Sequence, residues 1–161
     1  MLVRGEVDII EMQIQLLKDH TDEPTKKMLD HLVERKKKFE LYKMKSFRAQ
    51  FMTFVLLMGF IVYLYTFIIK PSGDQIGQIF HKIFDGPYHI LIVLFIVGGY
   101  ATAQYFKKKE EKAETEFHNL RCELIRKSTE LWQKPSQWQN RHEVFTMMKK
   151  EFDINLFHES K

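Results

Sequence analysis

Two stretches of this chain carry no charge at all. Residues 49–69 and 86–106 are each 21 positions without Asp, Glu, Lys or Arg, while the segments around them mix charged and apolar positions at helical spacing. A helix of that length at ~1.5 Å per residue extends about 31 Å, close to the ~30 Å hydrocarbon thickness of a bilayer. The first window reads FMTFVLLMGFIVYLYTFII from Phe51, and the second contains the run ILIVLFIV at residues 90–97. That run alone favours membrane insertion by roughly 2.5–5 kcal/mol. A helix buried in a soluble bundle normally keeps a polar stripe, and neither window has one. The pattern predicts transmembrane helices at residues 49–69 and 88–106.

The polar flanks are patterned too. Residues 7–19 read as a short amphipathic helix with Ile10, Ile14 and Leu17 on its apolar side. Thr-Asp-Glu-Pro at 21–24 ends it and starts the next helix with Pro in the first turn. From Thr25 the apolar positions Met28, Leu29, Leu32, Val33, Phe39 and Tyr42 lead towards the first window. No Gly or Pro intervenes before Gly59, which predicts one helix over residues 25–69.

Between the windows, Asp74 can cap a helix on which Ile76, Ile79, Phe80, Ile83 and Phe84 share a face opposite Gln75, Gln78 and Lys82. This predicts a small helix lying in the membrane interface, ended by Asp85-Gly86-Pro87. Beyond the second window Ala113, Phe117, Leu120, Leu124 and Leu131 keep a heptad-like seam. Its natural partner is the helix preceding the first window. Lys134-Pro135-Ser136 interrupts the pattern. Ser136 can cap a last helix at 137–152, with Trp138, Phe145, Met148 and Phe152 on one side. Trp132 and Trp138 flank the break and are expected to close the helices into a small core. The tail at 153–161 is apolar enough to dock. The organisation is thus N-terminal helices at 1–48, a first span at 49–69, a connection at 70–87, a second span at 88–106 and C-terminal helices at 107–161. The expected fold is all-α: a two-span hairpin extended by cytoplasmic amphipathic helices.

Whole-chain averages conceal this. The 161 residues have a net charge of +4 and 45% hydrophobic residues, and their mean hydropathy of −0.31 looks soluble. Location of charge is more informative. Arg35, Lys36, Lys37, Lys38, Lys43, Lys45 and Arg48 precede the first window, and Lys107, Lys108, Lys109 and Lys112 follow the second. The connection has only Lys70 and Lys82, against Asp74 and Asp85. Basic residues gather on the cytoplasmic side of membrane helices, so both termini are expected in the cytoplasm of a cell-membrane protein. Tyr63, Tyr65 and Tyr88 then lie near the outer interface, with Tyr42 and Tyr105 near the inner one. Anionic lipid accounts for the lysine cluster at 36–38 without invoking nucleic acid. The first window lies behind a charged segment and is too long for the core of a signal peptide. Neither end carries a lipidation motif.

Candidate chemistry is sparse. The single Cys122 excludes a disulfide framework. His142-Glu143 begins like a zinc-peptidase helix, but Thr146 stands where the second His is needed. Glu114, His118 and Cys122 share one helix stripe but span about 12 Å, too far to ligate one ion. No glycine-rich phosphate loop or Ser-His-Asp signature occurs, and no carboxylate lies in either span. Thr53, Tyr63, Thr66 and Thr102 are read as helix-packing polar groups, and His89 as an interfacial residue. Gly98 with Thr102 and Gly99 with Ala103 form small-residue pairs that admit a close helix, either the first span near Gly59 or a second copy. No enzyme activity, cofactor, metal or small-molecule substrate is expected.

The pattern ELIRKSTELW at residues 123–132, Trp138 and Arg141 in W-x-x-R spacing, and VFTMMKKEFDINLFHESK at 144–161 resemble the YpbF-like family. The resemblance implies a small two-span membrane protein of Bacillus-type bacteria without an established activity, and covers nearly the whole chain. The leading expectation is a non-enzymatic interaction or scaffold protein in the lipid bilayer, whose cytoplasmic helices bind another protein or a second copy. The alternative is a pore assembled through the small-residue faces.

Overall fold

The computed structural model describes residues 22–73 and 75–159, and every regular element among them is helical. The expected helix at 7–19, with Ile10, Ile14 and Leu17, and the expected cap Asp74 lie outside the described residues. Six α-helices follow in order: α1 (Glu23–Leu64), α2 (Lys70–Ser72), α3 (Ile76–Asp85), α4 (Pro87–Arg126), α5 (Ser128–Leu131) and α6 (Pro135–Phe152). A π-helical turn, Tyr65–Ile69, joins α1 to α2.

The predicted helix at 25–69 therefore starts two residues earlier and changes winding near its end. Pro71 is the cause. It has no N–H to give to the carbonyl four residues back, and its ring crowds that turn. The wider turn relieves the crowding, and Lys70 N–H bonds Tyr65 O five residues back. Thr66 Oγ1 donates to Val62 O at 2.9 Å and to Tyr63 O at 3.3 Å beside the altered turn.

Two further boundaries need correction. The seam helix stops at Arg126 and resumes as the short α5 after a turn at Lys127. The last helix begins at Pro135, so Lys134 is its N-cap and Ser136 lies inside the first turn. Proline already fits the first helical position, because its missing N–H is one the helix start leaves unbonded. At the other end Asp153 adopts a left-handed conformation (φ 55°), and Ile154 N–H bonds Met148 O at 3.0 Å. This closes α6 and redirects the tail.

The chain divides into two compact units. The first comprises residues up to Phe39 and from Lys112 onward; the second is Glu40–Glu111. In the first unit, Leu29, Leu32 and Val33 from α1 pack with Leu124, Trp132, Val144, Phe145, Met148, Ile154 and Leu156. The Trp132 indole meets the Phe145 ring edge-on at 5.6 Å. Arg35 and Lys38 pair with Glu116, and Phe39 stacks on Phe117. The helix preceding the first window is thus the partner of the seam containing Phe117, Leu120, Leu124 and Leu131. The tail docks through Ile154 and Leu156, both fully buried.

The second unit is built differently. Glu23–Ser72 and Tyr88–Arg126 are long and apolar enough to cross a membrane, and only 6% and 11% of their most apolar 18-residue windows is buried within the chain. Core helices of a soluble protein would be mostly covered.

Candidate functional site

In the second unit α1 and α4 touch along one narrow line. Tyr63 meets His89 near the connection, and ten residues further along each helix Thr53 lies against Gly99. Equal steps in opposite directions make the pair antiparallel. A Cβ on Gly99 would fall 2.8 Å from Thr53 Oγ1, so any larger residue would force the Thr53 side chain or the helices to shift. Ser46 and Ala103 are buried on the same line. On α1 the line runs Thr53, Ala49, Ser46, Tyr42; on α4 it runs Gly99, Ala103, Phe106, Glu110, none of them among the exposed residues. Both follow a four–three–four spacing, which keeps a seam on one face of a helix. Small side chains along it bring the backbones together.

The candidate packing residues are thereby sorted. Gly99 and Ala103 lie on the seam. A Cβ on Gly59 or Gly98 would meet nothing within 4 Å, so these two do not line the contact with the neighbouring helix. Thr102 Oγ1 donates to Gly98 O at 2.8 Å and stays exposed. On the α1 side of the seam, Ser46 and Ala49 escaped the sequence reading, although their spacing with Thr53 is visible there.

Near the connection, His89 is 8% exposed. Its Nδ1 lies 2.9 Å from Ile83 O and its Nε2 3.1 Å from Tyr63 Oη. A carbonyl only accepts, so neutral His89 carries its proton on Nδ1 and Tyr63 donates to Nε2. A Cβ on Gly86 would sit 2.5 Å from Nδ1. The imidazole therefore ties α4, the end of α3 and α1 together. Lys82 Nζ also donates to Ser72 Oγ at 3.0 Å. On α3 the large side chains Ile76, Phe80 and Phe84 are exposed, and the two phenyl rings stack at 6.4 Å.

The basic residues fall into two groups. Lys36, largely covered, pairs with Asp153 at 3.4 Å and lies over the Phe117 ring at 5.7 Å; Lys38 reaches Glu116. Both, with Lys37, belong to the first unit. Arg48, Lys107, Lys108 and Lys109 belong to the second, where Lys107 pairs with Glu110 at 3.3 Å.

On the first unit, Trp132 is buried but Trp138 is exposed, which corrects the expectation that both close the core. The Arg141 guanidinium covers the Trp138 ring at 3.8 Å and donates to Ser128 Oγ at 3.2 Å. Arg141 thus cross-links α5 and α6 and holds Trp138 at the surface. The tail is held from the other side. Buried Arg121 donates to Glu159 O at 2.8 Å, and Arg126 contacts both Glu159 carboxylate oxygens. The hydrogen bond that Arg126 donates to Glu159, reinforced by the carboxylate charge, raises Arg126 above the ordinary arginine value; Glu123 does the same for Lys127.

Cys122 Sγ lies 3.6 Å from His118 Nε2 beside an open surface hollow. No group of three His, Cys, Asp or Glu side chains converges among the described residues.

Comparison with known proteins gives a consistent kinship. The family described as protein of unknown function (DUF2663) matches residues 28–159. The uncharacterized protein YpbF of Bacillus subtilis (strain 168) is 44% identical over 145 residues, covering 90% of this chain and 95% of that relative. No solved structure matches.

Proposed function

The chain belongs to the DUF2663 family, the kin of YpbF, and from that premise we propose that it is a two-span integral membrane protein whose first unit is a cytoplasmic, non-enzymatic docking module. One observation carries the membrane part. The core of the first unit is assembled from residues on both sides of the second: Leu29, Leu32 and Val33 before it, Leu124 to Leu156 after it. Both flanks must therefore share one side of any bilayer, which requires an even number of crossings. The two exposed apolar helices supply two. The excess of lysine and arginine outside the connection favours the cytoplasm for that shared side.

Cys122, the only thiol and half-buried, tests the arrangement. A membrane-impermeant maleimide should leave it unlabelled in intact cells and modify it once the membrane is opened. Labelling from outside overturns the orientation, and release of the protein by alkaline carbonate overturns the spans.

Trp138, exposed yet fixed by Arg141, supports the docking part, because rigid aromatic and arginine side chains dominate protein contacts. A photo-crosslinking residue at position 138 should capture a second copy or another protein in native membranes. If it yields no more adduct than one at exposed Lys149, the docking part is wrong.

A further inference from the structure

We propose that the second unit carries a cationic collar that gathers anionic phospholipid headgroups, formed by Lys45 and Arg48 of α1 with Lys108 and Lys109 of α4. This rests on the membrane reading above and adds the class of lipid.

The seam sets the level of each residue. Tyr63 opposite His89 and Thr53 opposite Gly99 fix the antiparallel register, and continuing it along both helices brings Lys45 level with Lys107. Lys108 and Lys109 follow within one turn. With Lys43, which the same register sets level with Lys109, six cations from two helices therefore occupy one band. Lys107 is neutralised by Glu110. Lys45, Arg48, Lys108 and Lys109 form no ion pair with any described residue, and Lys45, Arg48 and the two lysines of α4 are exposed. Elsewhere Arg35, Lys36, Lys38 and Lys112 of the first unit do find carboxylates.

The surroundings identify the missing anion. The band adjoins the exposed apolar side chains Met44, Phe47 and Phe51. Tyrosine rings lie beside the cations: Lys45 Nζ is 5.9 Å from the Tyr42 ring centre and Lys109 Nζ 5.5 Å from that of Tyr105. Apolar side chains and aromatic rings interleaved with ammonium and guanidinium groups match the boundary between acyl chains and phosphates. A soluble anion gains nothing from the apolar edge, whereas a lipid phosphodiester meets both halves at once. Zwitterionic headgroups bring their own cation and gain little. Because adjacent helix positions point about 100° apart, Lys108 and Lys109 fan around α4. The collar therefore holds a shell of lipids rather than one lipid in a pocket. Lys36–Lys38, the cluster most visible in the sequence, does not contribute: it belongs to the first unit, with two of its members engaged by Asp153 and Glu116.

Full-length protein is reconstituted in phosphatidylcholine vesicles containing a minority of phosphatidylglycerol, and spin-labelled versions of each lipid report the fraction held at the protein surface. At low salt phosphatidylglycerol should be enriched several-fold over phosphatidylcholine, and the enrichment should collapse as salt shortens the electrostatic range. The variant Lys45→Gln/Arg48→Gln/Lys108→Gln/Lys109→Gln should lose at least about threefold of it. A control that removes equal charge from the first unit, Lys26→Gln/Lys27→Gln/Lys149→Gln/Lys150→Gln, should keep it. Equal restriction of both lipids by the parent protein overturns the collar while leaving the spans intact. So does a salt-independent preference, or an equal loss in the control. Failure of the parent protein to enter vesicles overturns the membrane reading and the collar together.

Discussion

Helix α4 contains the same side chain in two opposite settings, and this permits an internally controlled test. Leu124 is 0% exposed within the core of the first unit, whereas Leu94 is 61% exposed in the apolar stretch. Truncating Leu124 to Ala removes methylene groups worth about 0.8 kcal/mol each on transfer and leaves a cavity in the core it shares with Trp132, Val144 and Met148. The usual total for a buried Leu→Ala is about 2–5 kcal/mol. A small unit has only about 5–15 kcal/mol of stability to lose. At roughly 4–8 °C per kcal/mol for a unit of this size, the melting midpoint should fall by roughly 8–40 °C. Leu94→Ala removes the same atoms from an exposed surface, in a helix that tolerates Ala well, and should stay within about 0.5 kcal/mol of the parent. Tryptophan fluorescence of the full-length protein in detergent reads the unit of interest, since Trp132 and Trp138 both lie there. Two results would refute the reasoning: a Leu124→Ala midpoint within about 2 °C of the parent, or a shift for Leu94→Ala as large as that for Leu124→Ala.

Other consequences can be checked as directly. Gly99→Leu should drive α1 from α4 by clashing with Thr53, whereas Gly98→Leu enters open space; loss of compact-hairpin mobility on denaturing gels should follow only the first. Gly86→Ala should displace the His89 ring, and Tyr63→Phe should remove its Nε2 partner, so both should shift the His89 imidazole resonances while leaving Trp132 fluorescence unchanged. Leu156→Ala, at a fully buried tail position, should cost about 2–5 kcal/mol and expose the tail to carboxypeptidase. An unchanged digestion rate would mean that the tail is not held by its apolar contacts.

The elements that depend on local pattern were legible from the sequence. The uncharged windows mark the two exposed apolar helices, and Ile76, Phe80 and Phe84 mark α3 within a residue of its ends. Helix starts were less legible, because Ser136 is a good cap in general but Pro135 takes the first helical position one residue earlier. What stayed hidden depends on pairing across the chain. Gly99 looked equally able to face Gly59 or a second copy; that it faces Thr53 depends on register, which no single helix encodes. His89 showed no partner within a turn of itself, since Tyr63 is 26 residues away. The carboxylates that pair with the charge cluster at 36–38, Glu116 and Asp153, are far along the chain and no local pattern marks them. Trp132 and Trp138 were alike in sequence, and only the stacking of Arg141 separates the exposed ring from the buried one.

The first unit closes across a long interval of synthesis. Asp22 accepts a hydrogen bond from Gln137, 115 residues later, and Ile154 and Leu156 complete the core later still. At the usual ribosomal pace of about 5–20 residues per second, Leu29, Leu32 and Val33 wait roughly 5–25 s for their partners, with both apolar helices made in between. During that wait the nascent chain displays an apolar stripe that the finished chain hides. A chaperone or protease that reads this stripe would meet it only until Ile154 and Leu156 have been made and packed against it.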